Sequence, residues 1–212
     1  MTTNQLGVGS PRSRVMALAS SVAVIAGSLV MLVALVAPPG SWWDGYVSEA
    51  GTAGQPYAIP YRAGLVLLAA GVALLGQALR SLRTVSAALT AAAVLAATSG
   101  LVACTDRCPL PPYEPTTFAD VVHAAASVLG MLVLAGAMAL VWLADLRPAV
   151  RRLAGVAVVV TVPLGAILGM LMLFVGRSDF GAFVERAVLF VAVSWLIGTG
   201  GLLGVRRRAL VH

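Results

Sequence analysis

The residues of this chain that could do chemistry lie at the ends of its apolar segments or between them. Asp120 and His123 are three residues apart, so a helix places both side chains on one face. A carboxylate beside a histidine is typical of an acid–base pair, with Ser48 or a water molecule as the nucleophile. The spacing also fits a plainer role, in which Asp120 is stabilised by the dipole of the helix that it begins. Ser48, Asp120 and His123 are therefore candidate catalytic residues and not assigned ones.

A second group of ionisable residues surrounds the adjacent pair Glu185 and Arg186. Neighbours on a helix point about 100° apart, so each of the two needs a partner on another segment. We expect Arg186 to pair with Glu49 or Asp120, and Glu185 to pair with Arg62 or His123. Such a group is either a structural lock or a binding site for a lipid head group or small amphiphile. The predicted ligand-binding cluster is Glu49, Arg62, Asp120, His123, Glu185 and Arg186.

The two cysteines, Cys104 and Cys108, lie in one short loop of the sequence. In an oxidising compartment such a pair predicts a disulfide. A redox dithiol or a metal-binding thiol pair is the alternative, but three residues separate the cysteines instead of the two in the usual redox motif. Only His123 lies near an apolar segment, which excludes a three-histidine zinc site and a bis-histidine haem. A mixed carboxylate–histidine metal site is the alternative that remains, and we predict no metal and no cofactor.

The composition excludes a water-soluble fold. Hydrophobic residues make up 60% of the 212 residues and charged residues 10%, too few to cover a globular surface. The bilayer must be the solvent, and about 20 apolar residues cross it as a helix. We predict an all-α bundle of six transmembrane helices over Val15–Ala37, Tyr61–Leu79, Val85–Val102, Asp120–Leu143, Leu153–Val175 and Phe183–Val205.

The distribution of arginine predicts the orientation. All 14 basic residues are arginine, and ten of them fall on the side that also holds both termini. The positive-inside rule makes that side cytoplasmic, with an N-terminal tail over 1–14, a membrane domain over 15–205 and a basic tail over 206–212. The arginines form small groups beside apolar runs, so no nucleic acid is expected as a partner. The first segment is expected to be a retained anchor, with a cleaved signal peptide as the alternative.

Small and aromatic residues predict further details of packing. Gly165 and Gly169, like Gly200 and Gly204, are four residues apart and predict close helix approach. Amphipathic rings prefer the membrane interface, which predicts an aromatic belt at the outer face. The residues of this belt are Trp42, Trp43, Tyr46, Tyr57 and Tyr61.

Three segments together resemble a known family. They are Asp44-Gly-Tyr-Val-Ser-Glu-Ala-Gly with Gly54-Gln-Pro-Tyr-Ala, then Thr116-Thr-Phe-Ala-Asp-Val-Val-His123, then Gly181-Ala-Phe-Val-Glu-Arg186 with Trp195. In order and spacing the chain is similar to the DUF998 family of bacterial six-helix membrane proteins, although Ala50 replaces the leucine usual in the first motif. The resemblance implies a bacterial inner-membrane location and draws attention to Ser48, Glu49, His123, Glu185 and Arg186, but the family has no established activity.

Three functions follow from these observations. The favoured one is a non-enzymatic membrane protein that binds a lipid head group or small amphiphile, with membrane lipids as its partners. The alternative is a hydrolase of a lipid-linked substrate that uses Asp120 and His123, distantly similar to membrane hydrolases of the ceramidase type, although two of their three zinc-binding histidines are absent. A transporter comes third, because no acidic residue lies at the middle of any span.

Overall fold

The computed structural model describes residues 10–39, 42–43, 45–109 and 113–205. Within these ranges the chain is helical and forms no strand, as predicted. Asp44 and residues 1–9 and 206–212, which belong to the predicted first-loop motif and tails, lie outside the described residues. The helices are α1 (Pro11–Val36), a short 3-10 helix (Val47–Gly51), α2 (Ala58–Ala78), α3 (Arg83–Leu101), α4 (Phe118–Leu143), α5 (Pro148–Phe174) and α6 (Asp179–Gly204).

Each of the six α-helices is long and apolar enough to cross a membrane, which confirms the predicted six-helix fold. Several helices begin earlier than the predicted apolar spans because polar residues start them. The side chains of Ser10, Thr117 and Ser178 accept hydrogen bonds from the backbone N–H three residues later, as N-cap residues do. The helices therefore include a polar first turn that hydropathy alone does not mark.

The helices are arranged in a ring. Each packs against its neighbours in the chain, and α6 returns to pack against α1. We call the end formed by residues 37–39, 42–43, 45–57, 102–109, 113–117 and 175–178 the cap face, and the end formed by residues 79–82 and 144–147 the basic face. All the predicted site residues lie on or near the cap face.

The larger of the two buried apolar clusters lies towards the basic face. Leu75, Leu79, Leu89, Met138 and Trp195 are fully buried there and belong to one continuous apolar cluster. Because lipid tails are as apolar as these side chains, close van der Waals packing is what holds such a cluster together. This half of the bundle therefore contains most of the buried apolar core.

The two glycine pairs behave differently. Gly200 and Gly204 lie against α1, where added Cβ atoms would meet Ser21 and Leu18, so close approach is confirmed for this pair. Added Cβ atoms at Gly165 and Gly169 would meet nothing within 4 Å, so the predicted close approach is wrong for them. These two glycines lie on the half of α5 nearer the cap face, which is loosely packed.

Candidate functional site

The 3-10 helix Val47–Gly51 lies across the ends of α1, α2 and α6. Val47 is buried with Met31 and Tyr61 in a small apolar cluster beneath it. A Cβ atom at Gly51 would lie 2.8 Å from Cδ1 of Tyr61, so only glycine permits this approach. The packing fixes Ser48 and Glu49 at the centre of the cap face.

Glu49 is held by an arginine that lies outside the predicted cluster. Its carboxylate accepts a hydrogen bond from Tyr46 N at 3.0 Å and forms an ion pair with Arg177. The guanidinium of Arg177 also forms an ion pair with Glu114 at 3.2 Å and donates to the carbonyl oxygens of Arg107 and Cys108. Arg177 thus joins the loops of the cap to the turn between α5 and α6, and this residue is missing from the predicted cluster.

Tyr46 completes this junction. The Arg177 guanidinium carbon lies 6.0 Å from the centre of the Tyr46 ring, within the range of a cation–π contact. Tyr46 is buried rather than interfacial, and burial raises the pKa of its phenol above the ordinary value. Tyr61 is buried as well, so the predicted aromatic belt is wrong for these two residues, whereas Trp42, Trp43 and Tyr57 are exposed.

Glu185 and Arg186 bind backbone groups of the first loop. A carboxylate oxygen of Glu185 accepts a hydrogen bond from Val47 N at 2.5 Å. Arg186 donates to the carbonyl oxygens of Gly45 at 2.9 Å and Trp42 at 2.7 Å, and to Ala182 in its own helix. The expected ion pairs of Arg186 with Glu49 or Asp120, and of Glu185 with Arg62 or His123, are therefore wrong. Backbone N–H and C=O groups of a loop cost free energy near a membrane when they lack hydrogen-bond partners. Glu185 and Arg186 supply those partners instead of pairing with other charged side chains.

Asp120 ties the second loop to the start of α4. Its carboxylate accepts hydrogen bonds from the backbone N–H and hydroxyl of Thr105 at 2.6 and 3.0 Å. It also accepts from the N–H and hydroxyl of Thr117, both at 2.7 Å, and so forms a capping box. Capping the start of α4 is the structural role that the sequence left open for Asp120. The Asp120 carboxylate does not orient His123.

Replacing Asp120 with alanine is expected to lower the free energy of unfolding by about 2 kcal/mol, because the Thr105 and Thr117 N–H groups lose their acceptor. Asp120→Asn keeps one acceptor oxygen and should lose about half as much. Thermal unfolding in mild detergent measures both. An unfolding temperature of Asp120→Ala equal to that of the wild type would contradict this role.

Arg62 closes the end of α3. Its Nε donates to the carbonyl oxygen of Gly100 at 2.8 Å, and its Nη2 donates to that of Leu101. These carbonyls lie in the last turn of α3, where no further N–H follows in the helix and a cation is favoured. Arg62 therefore fixes the point at which the second loop begins.

His123 is buried, with 7% of its surface exposed. Its Nδ1 lies 2.9 Å from the carbonyl oxygens of Ser99 and Val102, at the end of α3. A carbonyl oxygen can only accept, so Nδ1 carries the hydrogen. Nε2 is buried and has no hydrogen-bond partner in the part of the chain that the structure describes.

The second loop contains the predicted disulfide between Cys104 and Cys108. Cys104 is buried, and a ring nitrogen of His123 and both sulfur atoms lie within 4.8 Å of one another. The Cys108 sulfur also lies 4.0 Å from the carbonyl oxygen of Ser48. Among the described residues, no hydrogen bond joins the Ser48 or Asp120 side chain to His123.

The cap face thus brings the predicted site residues together, but with partners that differ from the expected ones. Five charged side chains bind backbone groups, and only Glu49 among them also forms an ion pair. They are Glu49, Arg62, Asp120, Glu185 and Arg186. Sequence reasoning missed Arg177 and Glu114. The signal available in the sequence was Gly176, because a glycine directly before Arg177 favours a tight turn, and its φ in the structure is +80°.

A closed ring of six apolar helices with a hydrogen-bonded polar cap defines a multi-pass helical membrane protein. The family model "Protein of unknown function (DUF998)" matches residues 19–201. The chain belongs to this DUF998 family, which confirms the resemblance drawn from its motifs. No curated protein and no solved structure matches the chain.

Proposed function

We propose that the protein binds the head group of a lipid or another small amphiphile at its cap face, with the apolar tail along the adjoining half of α5. In this proposal the cap face is extracytoplasmic and both termini are cytoplasmic, in a bacterial inner membrane. The excess of arginine at the basic face supports the orientation.

The observation that carries the proposal is the packing of α5. From Val162 to Phe174 none of its residues is buried, whereas the first half of the helix contains five buried residues. Leu164, Leu168 and Leu171 share one face of the helix and remain half-buried. The helix leaves apolar surface beside the bundle that its own neighbours do not cover, and an acyl chain is the natural occupant inside a bilayer.

Charged side chains lie where the head group of such an amphiphile would be. Arg177 follows α5 directly and is 26% exposed, and its partner Glu114 is 39% exposed. The hydroxyl of Tyr113 donates to the carbonyl oxygen of Leu173 at 2.8 Å and holds the second loop over the end of α5. A guanidinium and a carboxylate side by side suit a zwitterionic or phosphate-bearing head group.

The predicted cluster takes a positioning role in this proposal. Glu49 orients Arg177, Glu185 and Arg186 fix the first loop, and Asp120 and Arg62 fix the second loop. Because the polar groups of these five residues are already engaged, the head group contacts Arg177 and Glu114, while Glu49 holds Arg177 in place.

Hydrolysis and transport are less well supported. A hydrolase needs its base within hydrogen-bond reach of a nucleophile, and in the described residues the His123 ring bonds to main-chain and Ser99 oxygens instead. A transporter of the usual kind places polar groups for its substrate near the middle of the membrane. The acidic residues of the described helices lie instead in first or second turns.

The proposal predicts that filling the space beside α5 removes the bound lipid. In the double variant Gly165→Leu/Gly169→Leu, the new side chains occupy open space, and leucine favours a helix more than glycine. Native mass spectrometry of protein purified in mild detergent should show a lipid adduct on the wild type and loss of most of it in the variant.

The matched control is Gly136→Leu, since this glycine of α4 also has open space around it but lies nearer the basic face. It should keep the adduct at the level of the wild type. Equal adducts on all three proteins, or none on the wild type, would refute binding along α5.

A further inference from the structure

His123 presents an unused lone pair in a buried place. Because its Nδ1 hydrogen is directed to the carbonyl oxygens of Ser99 and Val102, the neutral ring has its lone pair on Nε2. That nitrogen is buried, and none of the described residues forms a hydrogen bond with it. Histidines that bind metals have the same arrangement, in which one ring nitrogen donates to a carbonyl oxygen and the other is the ligand.

Two sulfur atoms lie beside this ring. One nitrogen of the His123 ring and the two sulfur atoms, which are joined in the disulfide, all lie within 4.8 Å of one another. Because Nδ1 is engaged by two carbonyl oxygens, Nε2 is the ring nitrogen left to bind a metal. Cys104 is 2% exposed, so the site is shielded from solvent on one side. Thiolate sulfur and imidazole nitrogen are the usual ligands of zinc, and three protein ligands leave one position open.

We propose that Cys104, Cys108 and His123 form a binding site for a divalent thiophilic cation of the zinc class, available when the disulfide is reduced. A dithiol reductant transfers two electrons and two protons to the disulfide and itself becomes a disulfide. Binding of Zn²⁺ to both sulfurs and to the imidazole then releases the two thiol protons. The proposal is independent of lipid binding.

Charge favours a divalent cation over a monovalent one. Two thiolates and a neutral imidazole carry a charge of about −2, which Zn²⁺ neutralises, whereas Cu⁺ leaves a net negative charge. A neutral complex is the less costly one at the edge of a low-dielectric bundle. The carboxylate of Asp120, which also lies against this loop, is already occupied by Thr105 and Thr117 and supplies no ligand.

The loop can accommodate the change. Two sulfurs on one tetrahedral zinc are about 3.8 Å apart, so they must separate from bonding distance. Arg107 and Cys108 have φ values of +62° and +48°, which residues with a Cβ atom rarely adopt. Opening the disulfide frees the Cys104 and Cys108 side chains to rotate apart. The backbone of the loop stays anchored, through Thr105 to Asp120 and through the carbonyl oxygens of Arg107 and Cys108 to Arg177.

The test uses the full chain in mild detergent. Protein is reduced with a phosphine, equilibrated with zinc chloride without oxygen, desalted and analysed for zinc by mass spectrometry. We expect about one zinc per reduced chain and none on the oxidised chain. Cys104→Ser/Cys108→Ser should bind none, and His123→Gln should bind at least about tenfold more weakly in competition with a chromophoric chelator. His212→Gln, which changes the chain's other histidine, should bind as the wild type does.

A second measurement covers the case in which His123→Gln does not fold. Co²⁺ added to the reduced wild type should give the intense visible bands of tetrahedral coordination together with sulfur-to-metal charge transfer. Reduced protein that binds no more zinc than oxidised protein overturns the proposal. So does zinc that the double cysteine variant retains, or an affinity unchanged in folded His123→Gln.

Discussion

Replacing Arg177 with alanine is expected to lower the free energy of unfolding by about 3 kcal/mol, more than any other charge removal on the cap face. The variant leaves Glu49, whose side chain is only 20% exposed, without its cation. It also removes the donors to the carbonyl oxygens of Arg107 and Cys108. Charge-assisted bonds of this kind are about twice as strong as neutral ones, so their joint loss should be large.

Chemical unfolding in mixed micelles, followed by tryptophan fluorescence, measures this change. Arg107→Ala removes an exposed arginine from the same loop and is the matched control, expected to change stability by about 0.5 kcal/mol or less. Arg177→Lys should fall between the two, because an ammonium cannot span both carboxylates and two carbonyls at once. Equal stability of Arg177→Ala and Arg107→Ala would show that the junction is not a structural one.

The number and type of the elements could be predicted because one physical requirement dominates them. A segment that crosses lipid must satisfy every backbone hydrogen bond internally, so long apolar runs can only be helices. Even the third run, which is rich in alanine and contains Ser86 and Thr90, forms the helix Arg83–Leu101. The ends were less predictable, since Ser10, Thr117 and Ser178 extend helices through hydrogen bonds that hydropathy does not report.

The members of the cap could be predicted, but their partners could not. Sequence reasoning treats opposite charges as natural partners, yet Arg186 binds the carbonyl oxygens of Trp42 and Gly45 while Glu185 binds Val47 N. The loops supply many unpaired backbone groups, and their number and direction exist only after the chain has folded. Arg177 could not be predicted for the same reason. Its side chain contacts several loops at once, and these loops come together only in the folded chain.

Small residues mark close helix contacts only where a partner helix is present. The pair Gly200 and Gly204 meets α1, but the equally spaced pair Gly165 and Gly169 faces open space. An equally close approach between two helix backbones involves Gly27 of α1 and Gly64 of α2, which no four-residue spacing of glycines marks. The spacing of small residues within one helix predicts a smooth surface. Which helix packs against that surface depends on the arrangement of all six helices.

The crossing of α1 and α2 should therefore be sensitive to a single methyl group. Helix propensity alone predicts that Gly27→Ala stabilises the protein by about 1 kcal/mol. The new Cβ atom would lie 2.5 Å from the Gly64 carbonyl oxygen and 2.8 Å from Leu68 N, both backbone atoms that cannot rotate away. The two helices must separate, so we expect a net loss of about 3 kcal/mol.

The separation has a second cost that distinguishes it from a local clash. The hydroxyl of Ser20 donates to the carbonyl oxygen of Gly71 at 2.7 Å across the same pair of helices, and this buried bond weakens as they move apart.

Gly64→Ala, whose Cβ atom would meet the Gly27 carbonyl oxygen at 2.8 Å, should lose a similar amount of stability, and the double variant should lose less than the sum of the two. Gly136→Ala is the control, since an added Cβ atom there would lie in open space. Only helix propensity should then act, so this variant should be more stable than the wild type. If Gly27→Ala proves as stable as Gly136→Ala in mixed-micelle unfolding, the two helices do not cross as closely as their backbones indicate.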